Sequence, residues 1–370
     1  MRVPIDDGAA GRPNAGNCPC MPTTAVHSAA LSAFIARALA AAGLPEADAQ
    51  CVAGLMTEAD LHGSDGHGVI RLAPYLRRIH AGGMNLRPDI RVVEERAATA
   101  VLDGDNGMGH LVMTRAAELA VAKARTCGIA WVGARLSNHA GPASLYARMA
   151  LPHDMIGLYF AVGNANHLPP WGGLDMLLST NPIAVAVPSA GEVPVVLDMA
   201  TTVAAYGKVK AKAQRGEAMP EGWMIDRQGQ PLLDPKRADE GFLLPIGGYK
   251  GYGLALIVGL LAGTLNGAAM GREVLDFNKD FKSTTNTGQA IAMIDLAAFG
   301  DVGAFKQRVA TVARDLRASA RMPGVERIWL PGEQSHARRM AYLRDGIPIG
   351  AALRAALDTV AADLGIAPLP

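Results

Sequence analysis

The chain has 370 residues, enough for two domains or for one large domain with an insertion. Half of the residues are hydrophobic and 19% are charged, a balance that excludes extensive disorder. Thirty-five basic residues face 34 acidic ones for a net charge of +1, and aromatics make up 5%, so no nucleic-acid partner is expected.

Residues 1 to about 25 are rich in Gly, Pro, Asn and Asp and read as a flexible tail, with Met21 as an alternative start. The first 20 lack the apolar run of a secretory leader, which points to a cytoplasmic protein. Cys18, Cys20, Cys51 and Cys127 are too few for a disulfide scaffold and read as free thiols. Cys18 and Cys20 have no second ligand pair to make a zinc site.

From His27 to Leu61 apolar residues recur at three- and four-residue spacing, with Gly43 ending one helix and Pro45 opening the next. A loop, HGSDGHG, covers His62 to Gly68, and a helix runs through Ile70, Tyr75 and Ile79 to Gly82. Strands are predicted over Ile90–Val93 and Thr99–Leu102, a helix over Leu111–Cys127, a strand over Ile129–Val132 and a helix over Gly141–Ala150. The middle carries strands over Met155–Val162, Ile183–Val187 and Val193–Asp198, then a polar excursion over 211–245. A loop over 272–289 precedes a last strand, Ala290–Ile294, and helices fill much of 301–321 and 333–366.

Gly251 to Gly271 is long enough to span a bilayer and carries Gly259, Gly263 and Gly267 at four-residue spacing. Asn266 and the glycines dilute it, and a buried helix packed closely on a neighbour is the better reading, so no membrane partner is expected. Helices at both ends around a strand-rich middle define a mixed α/β (α+β) protein. The predicted division joins 26–92 and 300–370 in one helical domain around a strand-rich domain over 93–299.

Neither G-x-G-x-x-G between strand and helix nor G-x-x-x-x-G-K-[ST] occurs, which disfavours the two commonest nucleotide folds. The Gly-rich turn Gly247–Gly253 can instead present backbone N–H groups and Lys250 to a phosphate. Between Asp60 and His67 two histidines and two aspartates invite a metal reading, but the glycines argue against a rigid ligand set. His67 with Arg71 makes better sense as a proton donor beside a carboxylate clamp. Imidazole titrates near neutral pH, and guanidinium grips two carboxylate oxygens at once. The turns SNHAGP from Ser137, STNP from Ser179 and LDMATT from Leu197 are each ordinary alone.

Together, DLHGSDGHGVIRL, NHAGPASLYARMA, LPPWGG, STNPIAVAVP, VVLDMATT, GGYKGYGLALIVGLLAG and the late LPGE resemble the malate/L-lactate dehydrogenase family of the non-Rossmann type. The resemblance covers about residues 25 to 365. It implies a non-Rossmann NAD(P)-binding fold over 93–299, a helical substrate and dimer domain from the two ends, and a homodimer. The implied reaction moves hydride between nicotinamide, as NAD or NADP, and C2 of a small 2-oxo or 2-hydroxy carboxylate such as malate or lactate. His67 matches the proton donor, and Arg71 and Thr180 match substrate contacts. His139, Gly141, Pro142 and Ala143 match a cofactor loop, and some members have their catalytic histidine at the position of His139. Asn181, Asp198, Met199, Ala200, Gly248 and Lys250 match further cofactor positions; no metal is implied.

Two positions depart from the pattern. Gly66 stands where many members have serine before the catalytic histidine. Lys208 stands where the family's cyclic-imine reductase has an aspartate that completes a relay. Lys208 joins His67 as a candidate to stabilise the developing alkoxide, and His67 is left to be oriented by Asp65, Asp198 or the backbone. The alternatives are a reductase of another activated carbonyl or cyclic imine, a metal-dependent hydrolase, and a paralogue that only binds nucleotide.

Overall fold

The computed structural model describes residues 23–64 and 66–370, with the backbone alone for Gln214 and Arg215. The Met21 start, the Cys18–Cys20 pair, Asp65 and most of the expected tail lie outside these residues. Thr23–Ala25, placed in the tail by sequence, belong to β1 (Thr23–Val26), which pairs antiparallel with β11 (Ile347–Gly350). A four-residue strand is too short to show a period, which is why neither was legible.

α1 (Ser28–Ala41) buries Leu31, Phe34, Ile35, Ala38 and Leu39 on one face, as their spacing dictates. Gly43, at φ +106°, turns the chain into α2 (Glu46–Leu61), whose N-cap is Pro45. After one 3-10 turn, Val69–Arg71, comes α3 (Leu72–His80), which buries Tyr75 and Arg78 beside Leu72, Leu76 and Ile79. These helices enclose a core with Ile347, Ile349 and α10 (Ala351–Leu364), and Phe277 enters it from a distant loop.

The middle forms one seven-stranded sheet. Its members are β2 (Arg91–Glu95), β3 (Thr99–Asp103), β4 (Ile129–Ser137), β5 (Met155–Ala161), β6 (Ile183–Val187), β7 (Val195–Met199) and β10 (Thr287–Asp295). The order is β2-β3-β4-β10-β5-β6-β7, so the late strand β10 occupies the centre. Only β3 and β4 are parallel, joined by the crossover helix α4 (Gly109–Cys127); every other pair is antiparallel. This is a mixed α/β fold without Rossmann strand order.

Alternation along the strands gives the sheet two helix-covered faces. Val132, Tyr159, Ile291 and Met293 pack with α4 and with α5 (Ser144–Ala147). Trp131, Leu158 and Phe160 pack with α7 (Tyr249–Ala262). The helix expected over 141–150 is thus shorter, continuing as 3-10 turns through Arg148–His153. The polar excursion contains α6 (Tyr206–Arg215), β8 (Met224–Asp226) and β9 (Gly241–Leu243). Past α8 (Val302–Arg317), the helices expected within 333–366 are two, with β11 between them. α9 (Glu333–Asp345) ends at Gly346, φ +91°, and Pro348 in β11 cannot continue a helix.

Asn266 closes the C-terminal end of α7. Its Nδ2 donates to the carbonyls of Ala262 at 2.8 Å, Leu261 at 3.2 Å and Gln289 at 3.2 Å, satisfying last-turn acceptors. Among the described residues, no helix is long and apolar enough to cross a membrane.

Candidate active site

Three segments converge on one point: the loop and 3-10 turn leading into α3, the loop after β4, and the loop before β10. They carry His67, His139 and Phe277. The imidazoles of His67 and His139 stack with centroids 5.5 Å apart and 13° between planes. The Tyr75 hydroxyl lies 2.6 Å from His139 Nδ1. The Gly141 N–H donates to that same nitrogen at 3.4 Å. A backbone N–H cannot accept, so Nδ1 is assigned as the acceptor, Tyr75 as a donor, and the ring proton to Nε2. Phe277 packs 5.8 Å from the His139 ring and 6.0 Å from the Tyr75 ring.

A third imidazole, His110, meets Tyr75 edge-on at 5.6 Å. It is fully buried, and among the described residues neither ring nitrogen has a hydrogen-bond partner. Burial first, then the charge of Arg71, lowers the pKa of His67 to about 4. Burial, then His67, lowers His110 to about 3. Burial, then Arg71 and the other two imidazoles, holds His139 well below its usual value. All three rings are therefore neutral at pH 7.

Arg71 is fixed from behind. Its Nε donates to the Gly66 carbonyl at 2.7 Å and its Nη1 to Asn278 Oδ1 at 3.4 Å, and it has no carboxylate partner among the described residues. Gly66 thus supplies a backbone acceptor for Arg71. Among the described residues no carboxylate bonds the His67 ring; the His139 ring against it sets its orientation.

Arg78 is fully buried. It donates to Asn138 Oδ1 at 3.2 Å, to the Asp280 carbonyl at 2.6 Å and to the Ser283 carbonyl, and its guanidinium lies 5.1 Å over the Phe277 ring. It ties the His139 loop to the Phe277 loop. Tyr75, Arg78, His110 and Phe277 were not among the site residues read from sequence. The available signal was helical spacing, because Arg71, Tyr75 and Arg78 share one face of the helical turn and α3.

The other expected site residues lie along the ends of β6 and β7 and at the start of α7. The Thr180 carbonyl accepts from the N–H and hydroxyl of Thr201, both at 2.9 Å. Asn181 is buried, accepting from the Gly163 N–H at 3.1 Å and donating to the Ala255 carbonyl at 2.8 Å, so its amide positions backbone. Pro142 and Ala143 are buried at the entry to α5. Asp198, exposed near the end of β7 beside Met199 and Ala200, accepts from the Ser144 N–H at 3.0 Å. Surrounding protein raises its pKa, opposed by Ser144 and Arg148. Gly248, at φ +65°, opens α7 where an added Cβ would meet the Trp171 ring at 3.2 Å. Among the described residues no side chain caps the N-terminus of that helix, and Lys250 is exposed in its first turn. Lys208 is exposed on α6, with no ion pair or side-chain hydrogen bond among the described residues.

Of the four metal candidates in the loop at 60–67, Asp65 lies outside the described residues. Asp60 accepts from the Val69 N–H at 2.8 Å and His62 Nδ1 lies 3.0 Å from the Glu58 carbonyl. Among the described residues no three metal-ligating side chains converge.

The family model for malate/L-lactate dehydrogenase matches residues 26–358. The malate dehydrogenase of Pyrococcus horikoshii is 38% identical over 349 residues, covering 91% of this chain and 94% of that one. Its solved structure superposes with a TM-score of 0.86 at 36% identity, covering 94% of this chain and 97% of that one. The L-sulfolactate dehydrogenase of Methanocaldococcus jannaschii is 36% identical over 88% of this chain and 92% of its own. The ureidoglycolate dehydrogenase (NAD(+)) of Escherichia coli is 33% identical over 86% of this chain and 90% of its own. Fold and kinship define a nicotinamide-dependent dehydrogenase acting on the CH–OH group of 2-hydroxy acids, with NAD or NADP as cofactor. The chain belongs to the malate/L-lactate dehydrogenase family.

Proposed function

We propose that the His67–His139 stack is the acid–base centre of this dehydrogenase and that Arg71 clamps the carboxylate of a small 2-oxo or 2-hydroxy acid of the malate and lactate type. The observation that carries this is a guanidinium with no carboxylate partner among the described residues, close to two neutral, stacked imidazoles. Arg71 orients C2 by holding the carboxylate with its planar fork. His139 presents Nε2–H to the substrate oxygen as an uncharged donor, with Tyr75 fixing that tautomer. Neutral His67 accepts the hydroxyl proton in oxidation and returns it to the oxygen in reduction.

The uncapped, glycine-led start of α7 fits an anionic cofactor. Its free N–H groups and Lys250 suit a phosphate, and the left-handed φ of +65° at Gly248 favours glycine there. Gly248, Lys250, the loop from His139 to Ala143, and Asp198 to Ala200 would hold the cofactor, with Thr180 a substrate contact and Asn181 acting through the backbone it supports. Nicotinamide, when bound, supplies or accepts the hydride. Lys208 is retained as a stabilising cation of lesser weight, since it is exposed and unpartnered.

The proposed division joins 26–92 and 300–370 as the substrate and dimer domain, with 93–299 holding the cofactor. A cytoplasmic homodimer is part of this reading. Ile257 and Leu260 on α7 are exposed in the single chain, and such apolar area suits a partner surface. The decisive assay offers a series of 2-oxo acids with NADH and with NADPH and follows nicotinamide absorbance. Failure to turn over any of them with either cofactor overturns the reading.

A further inference from the structure

We propose that Thr285 is a positioning residue for the reaction: through a buried chain of hydrogen bonds it fixes the spacing between the carboxylate clamp, Arg71, and the imidazole of His139. This rests on the reading of Arg71 and His139 given above.

The argument starts from a row of side chains on β10. Successive residues of a strand face opposite ways, so Thr287, Gln289, Ile291 and Met293 share one face. Ile291 and Met293 pack into the apolar core with α4 and α5. Towards the start of the strand the same face turns polar. Asn286, at φ +44°, bends the chain just before it and brings Thr285 beside Thr287. Thr285, Thr287 and Gln289 are all at most 5% exposed. Valine has the shape of threonine and would fill such places without burying a hydroxyl, which is tolerated inside a protein only when hydrogen-bonded. The hydroxyls therefore answer to something other than burial.

Their bonds run one way. Asn164 Nδ2 donates to Thr287 Oγ1 at 2.8 Å, and the Thr287 hydroxyl donates to Thr285 Oγ1 at 3.2 Å. The Thr285 hydroxyl donates to the Ser137 carbonyl at 2.9 Å, with Asn138 Oδ1 at 3.2 Å. Each hydroxyl accepts from one neighbour and donates to the next, an order in which the bonds strengthen one another. At one end stands Asn138, the residue before His139. Gln289 Nε2 donates to its carbonyl at 3.0 Å and its own Nδ2 donates to the Gly107 carbonyl at 2.9 Å, so the peptide leading into His139 is held on both sides. At the other end the Asn164 carbonyl accepts from the Phe277 N–H at 2.9 Å, and the next residue, Asn278, accepts from Arg71 Nη1 at 3.4 Å. Thr285 is the link that touches both the Asn138 segment and the rest of the chain. Hydride transfer needs the carboxylate, C2 and the proton donor in register, and a misplacement of about 1 Å costs up to about 10²-fold in rate.

The test is a double-mutant cycle on kcat/KM, using pyruvate or oxaloacetate with NADH or NADPH, whichever pair the parent turns over best. It compares the parent, Thr285→Val, Arg71→Lys and the double variant. Thr285→Val is expected to lower kcat/KM by about 10- to 100-fold in the parent background. Thr285→Ser keeps the hydroxyl and should return it to within about threefold of the parent. In the Arg71→Lys background Thr285→Val should cost less than about threefold, because the spacing it holds no longer ends in a clamp. A residue that only supports the core gives equal losses in both backgrounds. Thr287→Val cuts the same chain one bond earlier and takes the place of Thr285→Val in the cycle if the latter does not fold. Equal losses in the two backgrounds, an unchanged kcat/KM, or no rescue by Thr285→Ser overturns the proposal, and turnover by the parent then leaves the dehydrogenase reading standing. A parent that turns over neither acid with either cofactor ends both.

Discussion

The Tyr75 hydroxyl sits 2.6 Å from His139 Nδ1, joining a core side chain of α3 to a loop that follows β4, 64 positions later. The contact holds the ring proton of His139 on Nε2, the nitrogen proposed to face the substrate. Tyr75→Phe keeps the ring and its packing against Phe277 and removes only the donor. Nδ1 then retains the long Gly141 bond alone. Expected is a fall in kcat of about 10- to 100-fold with cofactor affinity nearly unchanged, somewhat below the full worth of a general acid–base group. The stability loss should be about 1 kcal/mol, that of one hydrogen bond. An unchanged kcat would show that the tautomer of His139 does not matter to the chemistry.

Arg78 does for the loops what Tyr75 does for the ring. Its three acceptors belong to Asn138, Asp280 and Ser283, on either side of the aromatic cluster. Arg78→Met fills similar space and removes three hydrogen bonds; Asn138 Oδ1 keeps the Thr285 hydroxyl, and the partly buried Asp280 carbonyl loses its donor, at a cost of about 1–3 kcal/mol. The melting temperature should fall by several degrees. Amide exchange should quicken over 277–285 and at His139 while the centre of β10 stays protected. Uniform quickening across the chain would mean that Arg78 is a general core residue rather than a staple between these loops.

Spacing made most helices legible, because α1, α2, α4 and α7 bury one or more faces on a large core and their apolar residues repeat accordingly. Strand positions were legible too, but not their order: nothing in Ala290–Ile294 says that it inserts between β4 and β5. That information resides in contacts between residues 130 or more apart, such as Ile291 with Val132 and Tyr159. At the site, His67, Arg71 and His139 were found through their motifs. Tyr75 and Arg78 were hidden because a buried tyrosine and a buried arginine on an amphipathic helix look like packing. Lys208 drew attention by its place in a motif, whereas the structure leaves it exposed on α6.

Three neutral histidines in one cluster also set the acid sensitivity of the fold. Their folded pKa values lie below the 6.5 of an unfolded histidine, about 4 for His67 and about 3 for His110. Between pH 6.5 and those values the unfolded chain binds more protons, so stability is complete above pH 6.5 and is lost as pH falls. One fully buried imidazole contributes a slope of at most about 1.4 kcal/mol per pH unit. His67, at about 4, adds a like slope over a narrower pH window, and His139 acts in the same direction. His110→Phe should flatten the dependence of the urea midpoint on pH between about 6.5 and 4.5. An identical slope in parent and variant would show that His110 already finds a proton partner in the folded chain.

The depressed pKa of His67 leads to a prediction about substrate binding. Part of the depression comes from the Arg71 charge. A substrate carboxylate on Arg71 cancels that charge locally and adds a negative one beside the ring, and both effects favour imidazolium. Binding of a 2-oxo acid near pH 6 should therefore take up a fraction of a proton, readied for the carbonyl oxygen. Calorimetric titration with oxamate, an unreactive 2-oxo acid mimic, in two buffers of different ionisation enthalpy measures that uptake directly. It should vanish in His67→Gln, and kcat in that variant should fall by about 10²- to 10⁴-fold. Arg71→Lys keeps a charge but loses the planar fork, so kcat/KM should drop by about 10- to 150-fold while some uptake persists. If uptake survives in His67→Gln at full size and disappears in His139→Gln, the proton resides on His139 and the roles of the two stacked rings are exchanged.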